Sequence, residues 1–211
     1  MWNGNCYVSL VGFMFLHVKI KGMRIPWHTR FEEVNLRFYV KYFDGTVWKR
    51  GVVFIREIVP RRAITLVANL LYGENYHTLP MRHSWNEDAE KLTVEYEWKT
   101  AEWNRFAVTA DKNAEDMKAG CEAEFVAEHY WGYTFINDLL TSEYEVVHPR
   151  WKCYDVKDYS VEVDFGQTYG EEFAFLSGQR PASVFLAEGS PISVQPGARI
   201  QKHEQENSMA I

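Results

Sequence analysis

Three polar side chains that could form an acid–base site, a carboxylate with an amide and a guanidinium, alternate with apolar residues in an early segment, FEEVNLRFYVKY (residues 31–42). Glu33, Asn35 and Arg37 lie on one face of the predicted strand, and Val34 and Leu36 lie on the other. A carboxylate in a dry pocket beside a guanidinium can be poised for proton transfer. One hypothesis is therefore that Glu33 acts as an acid or base and Arg37 binds an anionic group of a ligand. The alternative is an ordinary polar strand face in water.

Further candidates lie in the next two segments. Arg56 and Glu57 end the apolar strand GVVFIREI, and charges at the end of a buried strand need partners. His77 and His83 stand six residues apart in a predicted strand over residues 76–85, and with further ligands they could hold a metal. Hydrogen-bonded histidines are the more ordinary interpretation of that spacing, and we expect no metal site.

His129 lies in the segment CEAEFVAEHYW, whose spacing predicts a helix over residues 121–131. The side chain falls toward the apolar side of that helix. It is either a buried, hydrogen-bonded histidine or a residue that points into a pocket, and the sequence favours the first.

The elements around these residues predict an α+β fold with a largely antiparallel, curved sheet and about three helices. Strands 31–42 and 51–58 pair across the turn Asp44-Gly45, and a helix over 61–72 ends at Gly73. Pro80 marks a sheet edge or a bulge. The other predicted strands are 6–20, 91–100, 104–109, 144–147, 151–156, 159–165, 181–188 and 192–194, with a loop over 111–120 and a helix over 167–177.

Composition limits the number of domains and the kind of fold that this chain can form. A chain of 211 residues with 46% hydrophobic content can bury about 70% of its unfolded surface in one core. We expect one domain over residues 1–194 and a polar, disordered tail over 195–211. The apolar first strand begins almost at residue 1, which predicts that an N-terminal part of the domain is missing. The 33 aromatic residues (8 Trp, 12 Tyr, 13 Phe) favour a wide sheet or barrel that could line a small-molecule cavity.

Charge and motifs exclude several function classes. The net charge of −6 and the scattered basic residues do not favour nucleic acid. The three cysteines form no CxxC pair, which fits reduced thiols in the cytoplasm. No apolar run is long enough to span a bilayer. The sequence also lacks GxGxxG, P-loop, GxSxG and HExxH motifs, so nucleotide, serine-hydrolase and zinc-protease functions are disfavoured and no cofactor is expected.

Several segments in one order resemble the YqjF-like family of uncharacterised bacterial proteins: FEEVNLRFYV, GVVFIREIVPR, LLYGENYH, EHYWGYT, VVHPRW and GSPISV. The resemblance covers about residues 2–194. That family is distantly similar to the acetoacetate decarboxylase superfamily, which implies a cone-like barrel around a small-molecule pocket. The decarboxylases use a lysine pair to form a Schiff base with a keto acid. Here Tyr76 and His77 stand at the two lysine positions, so the resemblance implies no imine chemistry.

The resemblance places Glu33 at the position of a pocket glutamate and moves Arg37, Tyr76 and His77 onto the same candidate pocket. Asn35 would contact the ligand, and Arg56 and His129 would be pocket neighbours. The first functional hypothesis is therefore a cytoplasmic protein, alone or as a homo-oligomer, that binds a small anionic or carbonyl-bearing metabolite. The alternatives are a sensor or assembly module without a ligand, and a metal-free acid–base lyase or isomerase.

Overall fold

The computed structural model describes residues 2–16 and 30–201, and this part of the chain forms twelve strands and three α-helices. In chain order the strands are β1 (Val8–Leu16), β2 (Arg30–Phe43), β3 (Trp48–Val59), β4 (Tyr76–Thr78), β5 (Met81–Glu87), β6 (Lys91–Lys99), β7 (Trp103–Asp116), β8 (Trp131–Asn137), β9 (Leu140–Val147), β10 (Lys152–Glu162), β11 (Leu186–Ala187) and β12 (Ser193–Gln201). The helices are α1 (Arg62–Val67), continued by a π-helical turn (Ala68–Tyr72), α2 (Glu122–Ala127), and α3 (Phe165–Tyr169), followed by a 3-10 helix (Glu171–Leu176).

The larger sheet has seven strands and curls as a half-barrel. Its order is β1-β2-β3-β8-β9-β12, and β4 pairs with the end of β3. Most pairings are antiparallel, but β8 runs parallel to β3 from the pair Gly51 and Trp131, and β4 runs parallel to β3 from the pair Glu57 and Tyr76. The central strand β3 therefore has β8 and β4 one after the other along the same side.

The smaller sheet has the order β11-β10-β7-β6-β5 and packs on the larger one. Between the two sheets lies a core of fully buried apolar side chains from β2, β3, β6 and the α3 region. Its buried members are Val34, Leu36, Ile58, Val94, Tyr96, Trp98, Val163, Phe165 and Tyr169. The apolar face predicted for β2 is thus the face that packs in the core.

Local residue chemistry fixes the turns around the central strands. Asp44 Oδ1 accepts hydrogen bonds from the backbone N–H of Thr46 and Val47, each at 2.9 Å, and Gly45 adopts a φ of 97°. Gly73 ends the π-helical turn with a φ of 71°, a conformation that favours glycine. The hairpin and the helix end predicted here are both confirmed.

Pro80 divides the predicted strand 76–85 into two strands of different sheets. The Leu79 N–H donates to the Val59 carbonyl of the large sheet at 3.2 Å, whereas the Pro80 carbonyl accepts from the Lys99 N–H of the small sheet at 2.9 Å. Since proline has no N–H to continue a ladder, the chain changes sheets at this residue. The single strand was therefore a wrong prediction.

Other boundaries also differ from the prediction. The supposed loop 111–120 is strand through Asp116, and residues 152–162 form one strand rather than two. The helix over 121–131 ends at Ala127, because Trp131 begins β8. Strand β12 runs to Gln201, inside the predicted disordered tail; residues 202–211 lie outside the described residues, as does the end of the predicted first strand.

The predicted class is nevertheless confirmed: the fold is α+β with curved, mostly antiparallel sheets. None of the helices in residues 2–16 and 30–201 has the length and apolarity needed to cross a membrane.

Candidate functional site

The polar face of β2 is buried as deeply as its apolar face. Glu33 is 1% exposed and Asn35 is 0% exposed, compared with 0% for Val34 on the core side. The seven-stranded sheet curls over this polar face, so water does not solvate it. The structure thus removes the simplest alternative, an ordinary polar face in water.

Two side chains hold the Glu33 carboxyl group. Asn35 Nδ2 donates to Glu33 Oε1 at 3.0 Å, and the Tyr76 hydroxyl donates to Glu33 Oε2 at 2.9 Å. Tyr76 reaches this position because β4 pairs with β3, which places its ring beside Phe31 and Val59. Three of the residues proposed from the sequence therefore contact one another.

Strand register adds a second carboxyl group that the sequence analysis did not assign to the site. Asn35 of β2 pairs with Glu57 of β3, and Glu57 pairs with Tyr76 of β4. Directly paired residues point to the same face of a sheet. Glu57 is 3% exposed, and its Oε2 has no hydrogen-bond partner among the described residues.

Glu74, Thr134 and Tyr144 complete the group, which we call the acidic cluster. Tyr144 pairs with Gly132, and a Cβ at position 132 would lie 2.1 Å from Tyr144 Cζ. The glycine therefore leaves room for the tyrosine ring to lie across β8. The acidic cluster consists of Glu33, Asn35, Glu57, Glu74, Tyr76, Thr134 and Tyr144.

The proton affinities in the acidic cluster are shifted far from ordinary values. Burial raises the pKa of Glu33 to about 7, although the donors Asn35 and Tyr76 pull it down. Burial, with the charge of Glu33 next, raises the pKa of Glu57 well above the usual range. Burial also raises the pKa of Glu74, and Thr134 is the first neighbour that opposes this rise. The buried carboxyl groups of this cluster therefore hold their protons to a higher pH than an ordinary glutamate does.

The acidic cluster has a buried floor and a side that retains solvent contact. Glu33, Asn35 and Glu57 are buried, whereas Glu74 and Tyr144 are half-buried. In the described part of the chain, Asn35 Oδ1 and Glu57 Oε2 are buried polar atoms without a hydrogen-bond partner. Their residues pair directly across β2 and β3, so both side chains lie on the same face of the sheet.

Arg37 lies on the same face of β2 but is engaged with α2. Its Nη2 donates to the Val126 carbonyl at 3.3 Å, and its guanidinium lies 5.7 Å from the Tyr39 ring centroid. Arg50 likewise donates to the Phe125 carbonyl at 3.2 Å. The two arginines therefore link the end of α2 to the sheet by hydrogen bonds. Arg37 acts on Glu33 only as a nearby positive charge that lowers the pKa of Glu33.

His129 belongs to this α2 region. It is buried, its ring centroid lies 4.7 Å from that of Tyr39, and its Nδ1 has no partner among the described residues. Burial first, and then the charges of Arg50 and Arg37, lower the pKa of His129 to about 3. The predicted burial is observed, and a backbone hydrogen bond with Val126 opposes this lowering of the pKa.

Arg56 and His77 point away from the acidic cluster. Arg56 pairs with the core residue Leu36 and donates to the Thr168 carbonyl. His77 pairs with Ile58, is exposed, and has Nε2 3.1 Å from Asn75 Oδ1. Because adjacent residues of a strand alternate between faces, only Tyr76 of the pair Tyr76-His77 can face Glu33.

His77 and His83, which share one predicted strand, lie in different sheets. His77 lies in β4 of the large sheet and His83 lies in β5 of the small sheet. His83 Nδ1 instead lies 3.4 Å from Glu32 Oε2. No group of three metal-ligating side chains occurs within residues 2–16 and 30–201.

A separate open cleft of about 350 Å³ lies near the start of β3, at the other end of that strand from Glu57. Its lining includes Lys49, whose Nζ lies 2.8 Å from Glu143 Oε1 and 3.9 Å from the centroid of the Trp131 ring. The hydrogen bond to Glu143 raises the pKa of Lys49, so its amine is protonated. A protonated amine is not a nucleophile.

The chemistry available in the acidic cluster is proton donation and acceptance. Protonated carboxyl and phenol groups donate hydrogen bonds, and a carboxyl group with a pKa of about 7 exchanges its proton readily at neutral pH. For Glu57 the sequence contains one signal, a charge at the end of an apolar strand. It contains none for Tyr144, which reaches the site through the parallel pairing of β3 with β8.

Comparison with known proteins places the chain in a family. No curated protein matches it. Among solved structures it is similar to the crystal structure of acetoacetate decarboxylase from Legionella pneumophila subsp. pneumophila str. Philadelphia 1, with 7% sequence identity and a TM-score of 0.48 over 94% of this chain and 85% of that chain. The family model DUF2071, described as an uncharacterized conserved protein, matches residues 1–191. The chain therefore belongs to the DUF2071 family of uncharacterised conserved proteins.

Proposed function

We propose that this protein binds a small, uncharged, carbonyl-bearing metabolite in the acidic cluster, without forming an imine. The single observation that carries the proposal is Glu57, a buried carboxyl group with an unpaired oxygen beside a second buried carboxyl group. Burying such groups without partners costs free energy. Proteins keep arrangements of this kind where they serve a site.

The electrostatics favour an uncharged ligand over an anionic one. Glu33, Glu57 and Glu74 would repel a carboxylate whenever one of them is ionised. Arg37, proposed from the sequence to bind an anion, donates instead to the Val126 carbonyl. A carbonyl oxygen, by contrast, accepts hydrogen bonds from protonated carboxyl and phenol groups.

The absence of imine chemistry rests on the side chains at the site. Tyr76 occupies the floor of the acidic cluster and cannot condense with a carbonyl, and His77 points to the opposite face. Treatment with a ketone and borohydride should therefore leave the mass of the protein unchanged. A covalent adduct on a lysine would contradict this part of the proposal.

Binding can be tested by mass spectrometry of small molecules that co-purify with the protein. A hydrazine reagent would tag carbonyl compounds extracted from the wild type, from the double variant Glu33→Gln/Glu57→Gln, and from the control Glu95→Gln/Glu97→Gln on β6. We expect a tagged compound with the wild type and the control but not with the cluster variant. Equal recovery from all three proteins, or from none, would contradict the proposal and favour a structural module.

A further inference from the structure

We infer that Glu57 gives a proton to the carbonyl oxygen of the bound ligand while Glu33 takes a proton from the adjacent carbon, so that the site enolises its ligand. This inference rests on the proposed function and adds a reaction to it. It assigns opposite roles to two glutamates that the sequence does not distinguish.

The assignment of roles follows from the hydrogen bonds at each carboxyl group. Glu33 accepts two, from Asn35 at 3.0 Å and from Tyr76 at 2.9 Å. Donors of this kind stabilise the ionised form of a carboxyl group. Glu57 Oε2 has no donor among the described residues, and Tyr76, whose hydrogen bonding lowers the pKa of Glu57, donates at 2.9 Å to Glu33, so Glu57 has less to stabilise its charge. Glu33 is therefore the group that ionises first and serves as the base, and Glu57 keeps its proton and serves as the acid.

The shifted pKa values agree with this order. The pKa of Glu33 is raised to about 7, and the charge of Glu33 is itself a cause of the higher pKa of Glu57. Two titratable groups whose environments separate their proton affinities form an acid–base pair. At neutral pH the pair can hold one proton on Glu57 and an available base at Glu33.

The spacing of the two carboxyl groups suits a ligand between them. Glu57 pairs with Asn35 across antiparallel strands, so Glu33 is its diagonal neighbour on the same face. Diagonal neighbours lie about 7–8 Å apart at their Cα atoms, within reach of long side chains. No hydrogen bond joins the two carboxyl groups in residues 2–16 and 30–201, which leaves both free to face a ligand.

The reaction needs only the two carboxyl groups. The Glu33 carboxylate takes the proton from the carbon next to the carbonyl, and the C–H electron pair becomes the C=C bond of the enol. The C=O π pair takes the proton of Glu57, which becomes the carboxylate. Nothing is oxidised or reduced. The reverse step returns a proton to carbon, and in heavy water that proton is replaced by deuterium.

Tyr76 and Glu74 assist the two carboxyl groups that carry out the reaction. Tyr76 is a positioning residue, because its hydroxyl donates to Glu33 and fixes the carboxyl orientation. Glu74 is half-buried and close enough for its charge to raise the pKa of Glu57. Its carboxyl group is hydrogen-bonded to that of Glu57 and can return protons to the acid.

Deuterium exchange by NMR tests the inference directly. The probes are the uncharged ketones acetone, hydroxyacetone and cyclohexanone in heavy water, with pyruvate as an anionic comparison. We expect the wild type to speed exchange next to the carbonyl of at least one uncharged ketone and not of pyruvate. Glu33→Gln and Glu57→Gln should each lower this rate by about 100-fold or more. The control Glu97→Gln should not change it.

The outcomes separate this inference from the proposed function. If an uncharged ketone shifts the NMR signals of the acidic cluster but the wild type gives no exchange, binding stands and the enolisation is wrong. If exchange is unaffected by both cluster variants, the assigned roles are wrong. If no ketone shifts those signals, both proposals fail. Since glutamine has the shape of a neutral glutamate, both variants should fold, and circular dichroism would check this.

Discussion

The inner face of β2 and the outer face of β6 have similar sequence patterns and opposite environments. On β2, Glu33 and Asn35 are buried, and the hydrogen bonds that the Glu33 carboxyl group accepts come from the uncharged donors Asn35 and Tyr76. On β6, Glu95 lies 3.3 Å from Arg105, and Glu97 accepts from Arg82 at 2.6 Å at the surface. Alternation of polar and apolar residues therefore identifies a strand but does not tell whether its polar face contacts water.

The comparison shows what turns a polar face into a site. The charges of β6 pair with opposite charges of neighbouring strands. The carboxyl group of Glu33 on β2 is enclosed by the curl of the sheet and faces other acids, so its pKa is raised to about 7.

The largest effect is expected for Asn35→Asp, which places a second carboxyl group against Glu33. Two carboxylates at hydrogen-bond distance cannot both ionise in a buried site, so the variant should lose about 3–5 kcal/mol of unfolding free energy at pH 8. Part of this loss should return at pH 5, where the pair can share a proton. Urea denaturation at both pH values measures the difference.

The control is Asn86→Asp, the same substitution at an exposed position of β5. It should leave the urea midpoint nearly unchanged at both pH values. Equal losses in the two variants would mean that Asn35 is solvated and that the comparison between the faces is wrong.

The second effect is the pH dependence of stability. Glu33 has a pKa of about 7 in the folded chain against 4.5 for an ordinary glutamate. Between these values the folded chain holds more protons, so its stability falls as the pH rises through this window. The full cost is about 3 kcal/mol, and Glu57 and Glu74 add to it in the same direction.

Glu33→Gln should remove this part of the slope, while Glu97→Gln should keep it. Urea midpoints from pH 4.5 to 8 give both curves. A wild type whose stability rises with pH across that window, or a Glu33→Gln curve parallel to the wild type, would contradict the burial of this carboxyl group.

A smaller effect is expected for Tyr76→Phe. The variant loses the hydroxyl that donates to Glu33 Oε2. A hydrogen bond to an ionised group contributes about 2 kcal/mol, so the loss in unfolding free energy should approach this value at pH 8 and shrink at pH 5. Tyr159→Phe, at an exposed tyrosine of β10, is the matched control and should show no pH-dependent loss. A pH-independent effect at Tyr76 would show that its hydroxyl does not contact a titrating group.

The smallest effect is expected for Arg105→Gln in the small sheet. Arg105 bridges Glu95 at 3.3 Å and Glu162 at 3.1 Å, and its side chain is 40% exposed. Surface pairs of this kind contribute less than about 1 kcal/mol, and salt screens them. The difference from the wild type should disappear at 1 M salt. A larger, salt-independent loss would place these charges in a buried environment like that of Glu33.

The sequence predicts individual strands and turns better than it predicts which strands pair with one another. The alternation in residues 31–42 and the turn at Gly45 are local signals, and both strands and their hairpin are confirmed. The contact between Glu33 and Tyr76 was suggested only by resemblance to a family. Neither local pattern nor propensity predicts it, because it depends on β4 pairing in parallel with β3 over three residues.

The residues that sequence reasoning missed share one cause. Glu57 faces Asn35 because a bulge near Leu36 sets the register of β2 and β3. Tyr144 joins the acidic cluster because its strand, β9, pairs with β8, and β8 pairs with β3 across a long stretch of sequence. A shift of one residue would reverse each side chain. The orientation of His77 depends on register in the same way: its neighbour Tyr76 faces the acidic cluster, so His77 lies on the opposite face of the sheet.

The central claim is that the β2 carboxyl group at position 33 is enclosed among other acids. Carbon-13 NMR of the glutamate carboxyl groups measures it directly, with Glu33 assigned by the signal that disappears in Glu33→Gln. We predict a titration midpoint near pH 7 for this signal. A midpoint near 4.5, the value of an ordinary glutamate in water, would contradict the buried acidic cluster and the functions proposed for it.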